Sequence, residues 1–227
     1  MKRFLALLIW VPFAFLSPPV TGLAETSLSC TGTSVSFSSE GAGDFRCLCA
    51  ATERTLEFLL NIGLAPPEKI KIMLVSQIPS ESAHALIVSY NPTTHEVLLL
   101  DYKRATAEIP AMATGENPLD EEIWCSYAAH ELAHVVSTPY LGQGRRARIY
   151  GEYISAITQL SVLSQEQREA YLANYADVVP YGDASEMSEL YYHLDPDRFA
   201  VKCYLHFIAL ADPREFIRQL VKTGNND

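Results

Sequence analysis

The spacing of apolar positions predicts a helix near the start of the folded chain and a strand after it. Over residues 44–62, apolar side chains recur every three to four positions, and the pattern stops at Gly63. This spacing places them on one face of a helix. Over residues 69–78 the period changes to two, because every second position from Ile70 to Leu74 is a large aliphatic residue. Such alternation predicts a strand with one buried face.

Two shorter apolar runs follow, at residues 85–90 and 96–102. The connection between them, residues 91–94, has the sequence Asn-Pro-Thr-Thr, and these residue types are common in turns. The two runs are therefore predicted to pair as a β-hairpin.

The rest of the chain is predicted to be helical. Asn117 and Pro118 have the residue types of an N-cap and a first helical position, which predicts the start of a helix. We expect this helix to end near Ser137, because Pro139 and Gly142 follow.

Three further kinds of signal predict more helices in the C-terminal half. A periodic pattern covers residues 144–163, Ser164 and Gln167 form a capping box, and Asp-Pro pairs begin at residues 195 and 212. The order of one helix, three strands and then helices predicts an α+β fold, with a small antiparallel or mixed sheet and a mostly helical C-terminal half.

The N-terminus has the pattern of a secretory signal peptide. Lys2 and Arg3 precede an apolar run over residues 4–15, and the small residues needed for cleavage occur at 22–24. The run is short for a membrane span, although an uncleaved N-terminal anchor remains an alternative. Cleavage after Ala24 would leave a single domain over residues 25–227.

Charge and composition exclude some partners. The 227 residues include 17 Lys and Arg against 27 Asp and Glu, a net charge of −10. Removal of Lys2 and Arg3 with the signal peptide would change this to −12. Such acidity disfavours nucleic acid and, after signal cleavage, a membrane surface as partners.

The five cysteines all lie in the part predicted to be exported, where disulfides can form. We expect Cys30 to pair with Cys47 or Cys49, and the odd number to leave at least one cysteine outside the intramolecular bridges. Cys125 is expected to be buried and not to bind metal. The single-residue spacing between Cys47 and Cys49 does not match a zinc-finger site.

The motif that carries chemistry is His130-Glu131-Leu132-Ala133-His134. Two histidines one helical turn apart can bind one ion, and Glu131 then lies close enough to act on a water at that ion. The alternative is a pair of structural histidines on a polar helix face. The remainder of the helix fits a buried helix, because an apolar stripe follows one face: Trp124, Ala128, Leu132 and Val135.

A catalytic zinc site needs a third protein ligand. The metzincin continuation is excluded, because Ser137 and Tyr140 occupy the positions of its glycine and third histidine. The best candidate is Glu152, which would lie about two turns into the returning helix, level with the two histidines. A solvated surface glutamate is the alternative, and His193 and Asp183 are the next candidate ligands.

With these residues the segment 69–163 resembles the gluzincin metallopeptidases, a class of zincin. In gluzincins a helix bearing His-Glu-x-x-His follows a hairpin, and a second helix supplies a glutamate ligand. The resemblance implies a zincin-like domain of the kind found in small secreted bacterial proteins. It also implies Zn2+ as cofactor, His130, His134 and Glu152 as ligands, and Glu131 as general base.

Gluzincins also use a Tyr or His to stabilise the developing oxyanion. By residue type, the candidates for this role are Tyr191, Tyr192 and His193. The remaining histidines have no partner pattern: His84, His95 and His206.

The sequence therefore predicts an exported zinc-dependent hydrolase, a peptidase acting on a peptide or protein in the periplasm or outside the cell. Zinc would polarise the scissile carbonyl, and Glu131 would move the proton of the water to the leaving amine. The alternatives are a non-catalytic binding or adaptor protein with a zincin fold and a purely structural zinc. Glu131 separates the hypotheses, because a structural site needs no base between its histidines.

Overall fold

A computed structural model describes residues 26–39, 45–78, 87–91, 96–108, 119–142 and 144–225. Several sequence predictions concern residues outside these ranges: the signal peptide over 1–24, the Asn117-Pro118 cap, the hairpin turn after Asn91, and His84 and His95.

The sheet contains five described strands in the order β1-β2-β3-β5-β4. Their bounds are Thr26–Ser29 (β1), Val35–Ser39 (β2), Ile70–Val75 (β3), Val88–Asn91 (β4) and Glu96–Leu100 (β5). The predicted hairpin is confirmed, because β4 pairs antiparallel with β5. The sheet is mixed, since β3 is parallel to both β2 and β5 and β1 is antiparallel to β2.

The predicted order of elements needs one correction, because β1 and β2 precede the first helix. Both strands are rich in serine, so only Val35 and Phe37 give β2 an apolar face, and both are buried. Two apolar side chains are too few for a recognisable alternating pattern.

Helices make up most of the described chain and confirm the α+β prediction. They are α1 (Arg46–Asn61), α2 (Tyr102–Glu108), α3 (Glu121–Leu141), α4 (Arg145–Val162), α5 (Gln165–Ala173), α6 (Glu189–Leu194), α7 (Pro196–Ala209) and α8 (Pro213–Gly224). The predicted caps of three of them are confirmed, because Ser164, Asp195 and Asp212 accept hydrogen bonds from the backbone N–H three residues later. None of the described helices is long and apolar enough to cross a membrane.

Both ends of α3 differ from the prediction. The helix begins at Glu121 with Asp120 as its N-cap, since Asp120 accepts a hydrogen bond from the N–H of Ile123 at 2.7 Å. Asn117 is therefore too early to be the cap. At the other end the helix runs through Pro139 to Leu141.

Tertiary contacts explain why α3 continues past its proline. A proline inside a helix costs about 3 kcal/mol. The extra turn buries Leu141, which is 2% exposed, and burial of a leucine side chain contributes about 1.5–3 kcal/mol. The hydroxyl of Tyr140 also bonds the backbone of Ala65. Gly142 then ends the helix with a φ of 70°, a conformation that glycine adopts without strain.

The α3 helix lies against the sheet and against α1 and α4. The predicted apolar stripe is buried, with Trp124, Ala128, Leu132 and Val135 each at most 2% exposed. The indole N–H of Trp124 donates to the carbonyl of Leu100 at 2.9 Å, which ties the helix to β5.

Two disulfides join the strand region to α1 and α1 to α3. Cys30 pairs with Cys49, which confirms one of the two predicted pairings. Cys125 is buried as predicted, but it pairs with Cys47 and links α3 to α1. Cys203 is the free cysteine among the described residues, and it is buried.

Candidate metal centre

The α3 helix presents His130 and His134 towards α4. Their spacing of four residues stacks the rings one turn apart. The two Nε2 atoms lie 3.2 Å apart, and each side chain is less than one-fifth exposed. Both imidazoles therefore converge on one point.

The returning helix α4 brings Glu152 to the same point. Its Oε2 atom lies 3.5 Å from His130 Nε2 and 3.4 Å from His134 Nε2. This oxygen is buried, and none of its contacts with described residues has hydrogen-bond geometry. A buried carboxylate oxygen is costly unless a hydrogen bond or a positive charge compensates it, and the groups closest to this one are the two imidazoles.

The three converging atoms have the separations of a zinc site. Nitrogen and oxygen ligands bound to Zn2+ tetrahedrally at about 2.0–2.1 Å are about 3.3–3.4 Å from one another. The observed separations are 3.2, 3.4 and 3.5 Å. In the described part of the chain, His130, His134 and Glu152 form the one group of His, Cys, Asp or Glu side chains placed to hold a metal ion.

Gly151 allows the two helices to approach closely at this point. A Cβ atom at Gly151 would lie 3.4 Å from Nδ1 of His134 and 3.7 Å from Leu141. The glycine that precedes the third ligand therefore packs directly against the second.

The buried charges of the three side chains compensate one another. Burial alone would lower the pKa of His134, but the negative charges of Glu152 and Glu131 raise it to about 9. Burial alone would raise the pKa of Glu152, and the two histidines hold it far below its usual range instead. A cation bound at this point would take over the role of the protonated histidine.

Glu131 and Tyr192 lie beside the three candidate ligands. Burial, then the charge and hydrogen bonding of Glu152, and then the charge of Glu131 raise the pKa of Tyr192 well above its usual value. Burial and the charge of Glu131 also raise the pKa of Tyr90, on β4. The charge of Glu131 therefore acts on Tyr192 and Tyr90, and the Tyr192 hydroxyl interacts with Glu152.

Other candidate residues occupy different surroundings. His193 is exposed, and its ring lies 5.4 Å from that of Tyr192, centroid to centroid. Asp183 is exposed and caps a short 3₁₀ turn by accepting from the N–H of Ser185 at 2.6 Å. His206 is buried and bonds the hydroxyl of Tyr153 at 2.8 Å. Neither Asp183 nor His193 belongs to the three-residue group described above.

Gln159, on α4, also contacts the site, although it was not among the residues predicted from the sequence. Its Oε1 atom lies 3.0 Å from Nδ1 of His130. The signal in the sequence is its position seven residues, or two turns, after Glu152, which places both side chains on one helix face.

The fold and the site define a mixed α+β protein with a candidate metal centre of two histidines and one glutamate. The chain belongs to a family of unknown function (DUF6639), whose profile matches residues 35–225 and so includes every residue of the site. No curated protein and no solved structure matches the chain. The resemblance to gluzincins therefore depends on the motif residues and on their geometry.

Proposed function

We propose that this protein is an exported zinc-dependent hydrolase that cleaves peptide bonds. The observation that carries the proposal is the triangle formed by His130, His134 and Glu152, whose edges of 3.2–3.5 Å match those of tetrahedral zinc ligands. The two disulfides fit an oxidising compartment, which supports export.

Three residues would hold the metal and one would move protons. Bound Zn2+ would supply Lewis acidity and lower the pKa of a water molecule at the site. Glu131 follows His130 directly on the helix and is not one of the three candidate ligands, and its charge acts on His134, which supports a role for it next to the metal. It would accept the proton of the attacking water and donate it to the leaving amine.

Tyr192 would stabilise the negative charge that develops on the carbonyl oxygen. Its raised pKa keeps the phenol protonated, so it can donate a hydrogen bond at any physiological pH. The charge and hydrogen bonding of Glu152 contribute to this shift, which supports a position of the hydroxyl near the proposed metal. His193, which the sequence also suggested, is exposed beside it.

Glu131 and the number of candidate ligands both favour hydrolysis over a zinc held only for structure. A structural site is closed by four protein ligands, whereas the described residues here offer three. A zinc held by these three described residues would keep a fourth position for water or substrate.

Cleavage of a peptide library tests the proposal directly. We expect the purified protein to cleave peptides, chelation to stop cleavage, and added Zn2+ to restore it. Glu131→Gln is the matched control, because it should keep zinc while cleavage falls by roughly 10² or more. Zinc binding without any cleavage by the wild type would favour the binding-protein alternative. Loss of zinc in Glu131→Gln would make Glu131 a ligand or support and remove the proposed base.

Export has its own test. We expect the protein isolated from the periplasm or medium of its host to begin near Glu25. A mass measurement that finds residues 1–24 retained in exported protein would contradict cleavage after Ala24.

A further inference from the structure

A short chain of hydrogen bonds connects one candidate ligand to the backbone of its own helix. His130 Nδ1 lies 3.0 Å from Oε1 of Gln159, and Nε2 of Gln159 lies 3.3 Å from Oγ of Ser126. The Ser126 hydroxyl lies 2.7 Å from the carbonyl oxygen of Ile123. Ser126 is 1% exposed, so the inner end of this chain is shielded from water.

The direction of each hydrogen bond follows from the last one. A carbonyl oxygen only accepts, so the single proton of the Ser126 hydroxyl is donated to Ile123. Ser126 Oγ must then accept from Gln159, which places the amide NH2 group on that side. The amide oxygen of Gln159 consequently faces His130 and can only accept, so Nδ1 of His130 must carry a proton.

This arrangement determines which nitrogen of His130 is available to a metal. With the proton on Nδ1, the neutral imidazole has its lone pair on Nε2. Nε2 is the atom that lies 3.2 Å from His134 Nε2 and 3.5 Å from Glu152 Oε2. The ring is therefore held in the tautomer and orientation that a metal ligand needs, before any metal binds.

We propose that Gln159 is a positioning residue for the metal centre, and that Ser126 keeps its amide oriented towards His130. The inference rests on the metal site of the proposed function and not on peptide cleavage. Hydrogen-bond partners of ligating histidines commonly contribute 10- to 100-fold to metal affinity. A neutral amide fulfils this role here without adding negative charge next to the ligands.

Zinc affinities of four variants, measured by competition with a coloured chelator, test the role of Gln159. Gln159→Leu keeps the size and removes the acceptor, so we expect affinity to fall by about 10- to 100-fold. Gln159→Glu keeps an acceptor at the same place and should stay within a few-fold of the wild type. Ser126→Ala releases the amide and should give a smaller loss. Thr158→Val is the control, because Thr158 is a buried polar neighbour of Gln159 on α4 whose hydroxyl bonds only its own helix.

A nitrogen-15 NMR spectrum of the zinc-loaded protein supplies a readout that general destabilisation would not change. We expect His130 to show a protonated Nδ1 and a metal-bound Nε2, with the Nδ1 proton exchanging slowly in the wild type and in Gln159→Glu. That proton should exchange rapidly in Gln159→Leu. If Gln159→Leu does not fold, the zinc affinity of Ser126→Ala and the spectrum of the wild type test the role of Gln159 instead.

Two results would overturn the inference. One is wild-type zinc affinity in Gln159→Leu, or in Ser126→Ala where the leucine variant does not fold. The other is a His130 that binds zinc through Nδ1. If the wild type binds no zinc at all, the proposed function fails, and the metal centre that Gln159 is proposed to position fails with it. Zinc binding that does not depend on Gln159 would overturn this inference alone and leave the proposed function standing.

Discussion

At the scale of single residues, Glu152 is the side chain that most strongly indicates a bound cation. A carboxylate oxygen with no hydrogen bond in a buried site is unfavourable unless a positive charge compensates it. Two imidazole nitrogens lie within 3.5 Å of that oxygen, so one cation placed between the three groups could contact all of them. The three side chains are thus arranged around one common point, whereas a simple ion pair would bring together only two of them.

Tyr192→Phe tests the second catalytic assignment. Zinc affinity should be unchanged, because the ligands are untouched, whereas hydrolysis should fall by about 10²–10³, the effect of removing one oxyanion donor. Rates of peptide cleavage and zinc content are measured together. Tyr191→Phe, on the same short helix, is the matched control. Wild-type rates in Tyr192→Phe would contradict the role of its hydroxyl.

The sequence predicted the site residues to different extents, for physical reasons. The histidine pair follows from helix geometry alone, because a spacing of four always stacks two side chains. Glu152 required counting turns along a returning helix, which works when both helices are regular. Gln159 was missed, because its partner is 29 residues away and its amide has no characteristic motif, so that its spacing from Glu152 was the one available signal.

At the scale of elements, the close approach of α3 and α4 creates the site. The predicted end of α3 was wrong, because Pro139 disfavours a helix locally. In the structure the helix continues to Leu141, and the burial of that side chain stabilises the extra turn. The extra turn matters for the site, because Leu141 and His134 both line the space in front of Gly151 that a Cβ atom would enter.

Substitution of Gly151 tests the contact between the two helices. Gly151→Ala would place its methyl group in ordinary contact with His134, so we expect folding and zinc affinity close to those of the wild type. Gly151→Leu would displace the His134 ring and should weaken zinc binding at least 10-fold, by analogy with loss of a supporting contact. Zinc titration and thermal unfolding with chelator separate binding from stability. Equal zinc affinity in the leucine variant would show that the contact is unimportant.

At the scale of the whole molecule, disulfides secure α1 to the strand region and to α3. The sequence predicted either Cys47 or Cys49 as the partner of Cys30, and in the structure the partner is Cys49. The second bridge joins residues 78 apart, so it depends on how α1 packs against α3. Such a long-range pairing cannot be read from local patterns.

Thiol counting tests this connectivity. Under denaturing conditions without reductant, we expect one reactive thiol per chain, from Cys203, and after reduction all five. The native protein should react slowly, because Cys203 is buried. Three or five thiols before reduction would mean that one or both bridges do not form.

The zinc content of the wild type and of Glu152→Ala is the most direct test of the central claim, that His130, His134 and Glu152 hold a metal ion. After purification, zinc loading and removal of excess metal, we predict about one zinc per chain in the wild type. The variant should retain far less under the same conditions, since two remaining ligands hold zinc poorly. Chelation should accordingly lower the unfolding temperature of the wild type but not of the variant. A wild type without zinc, or a Glu152→Ala variant that retains one zinc per chain, would contradict the account.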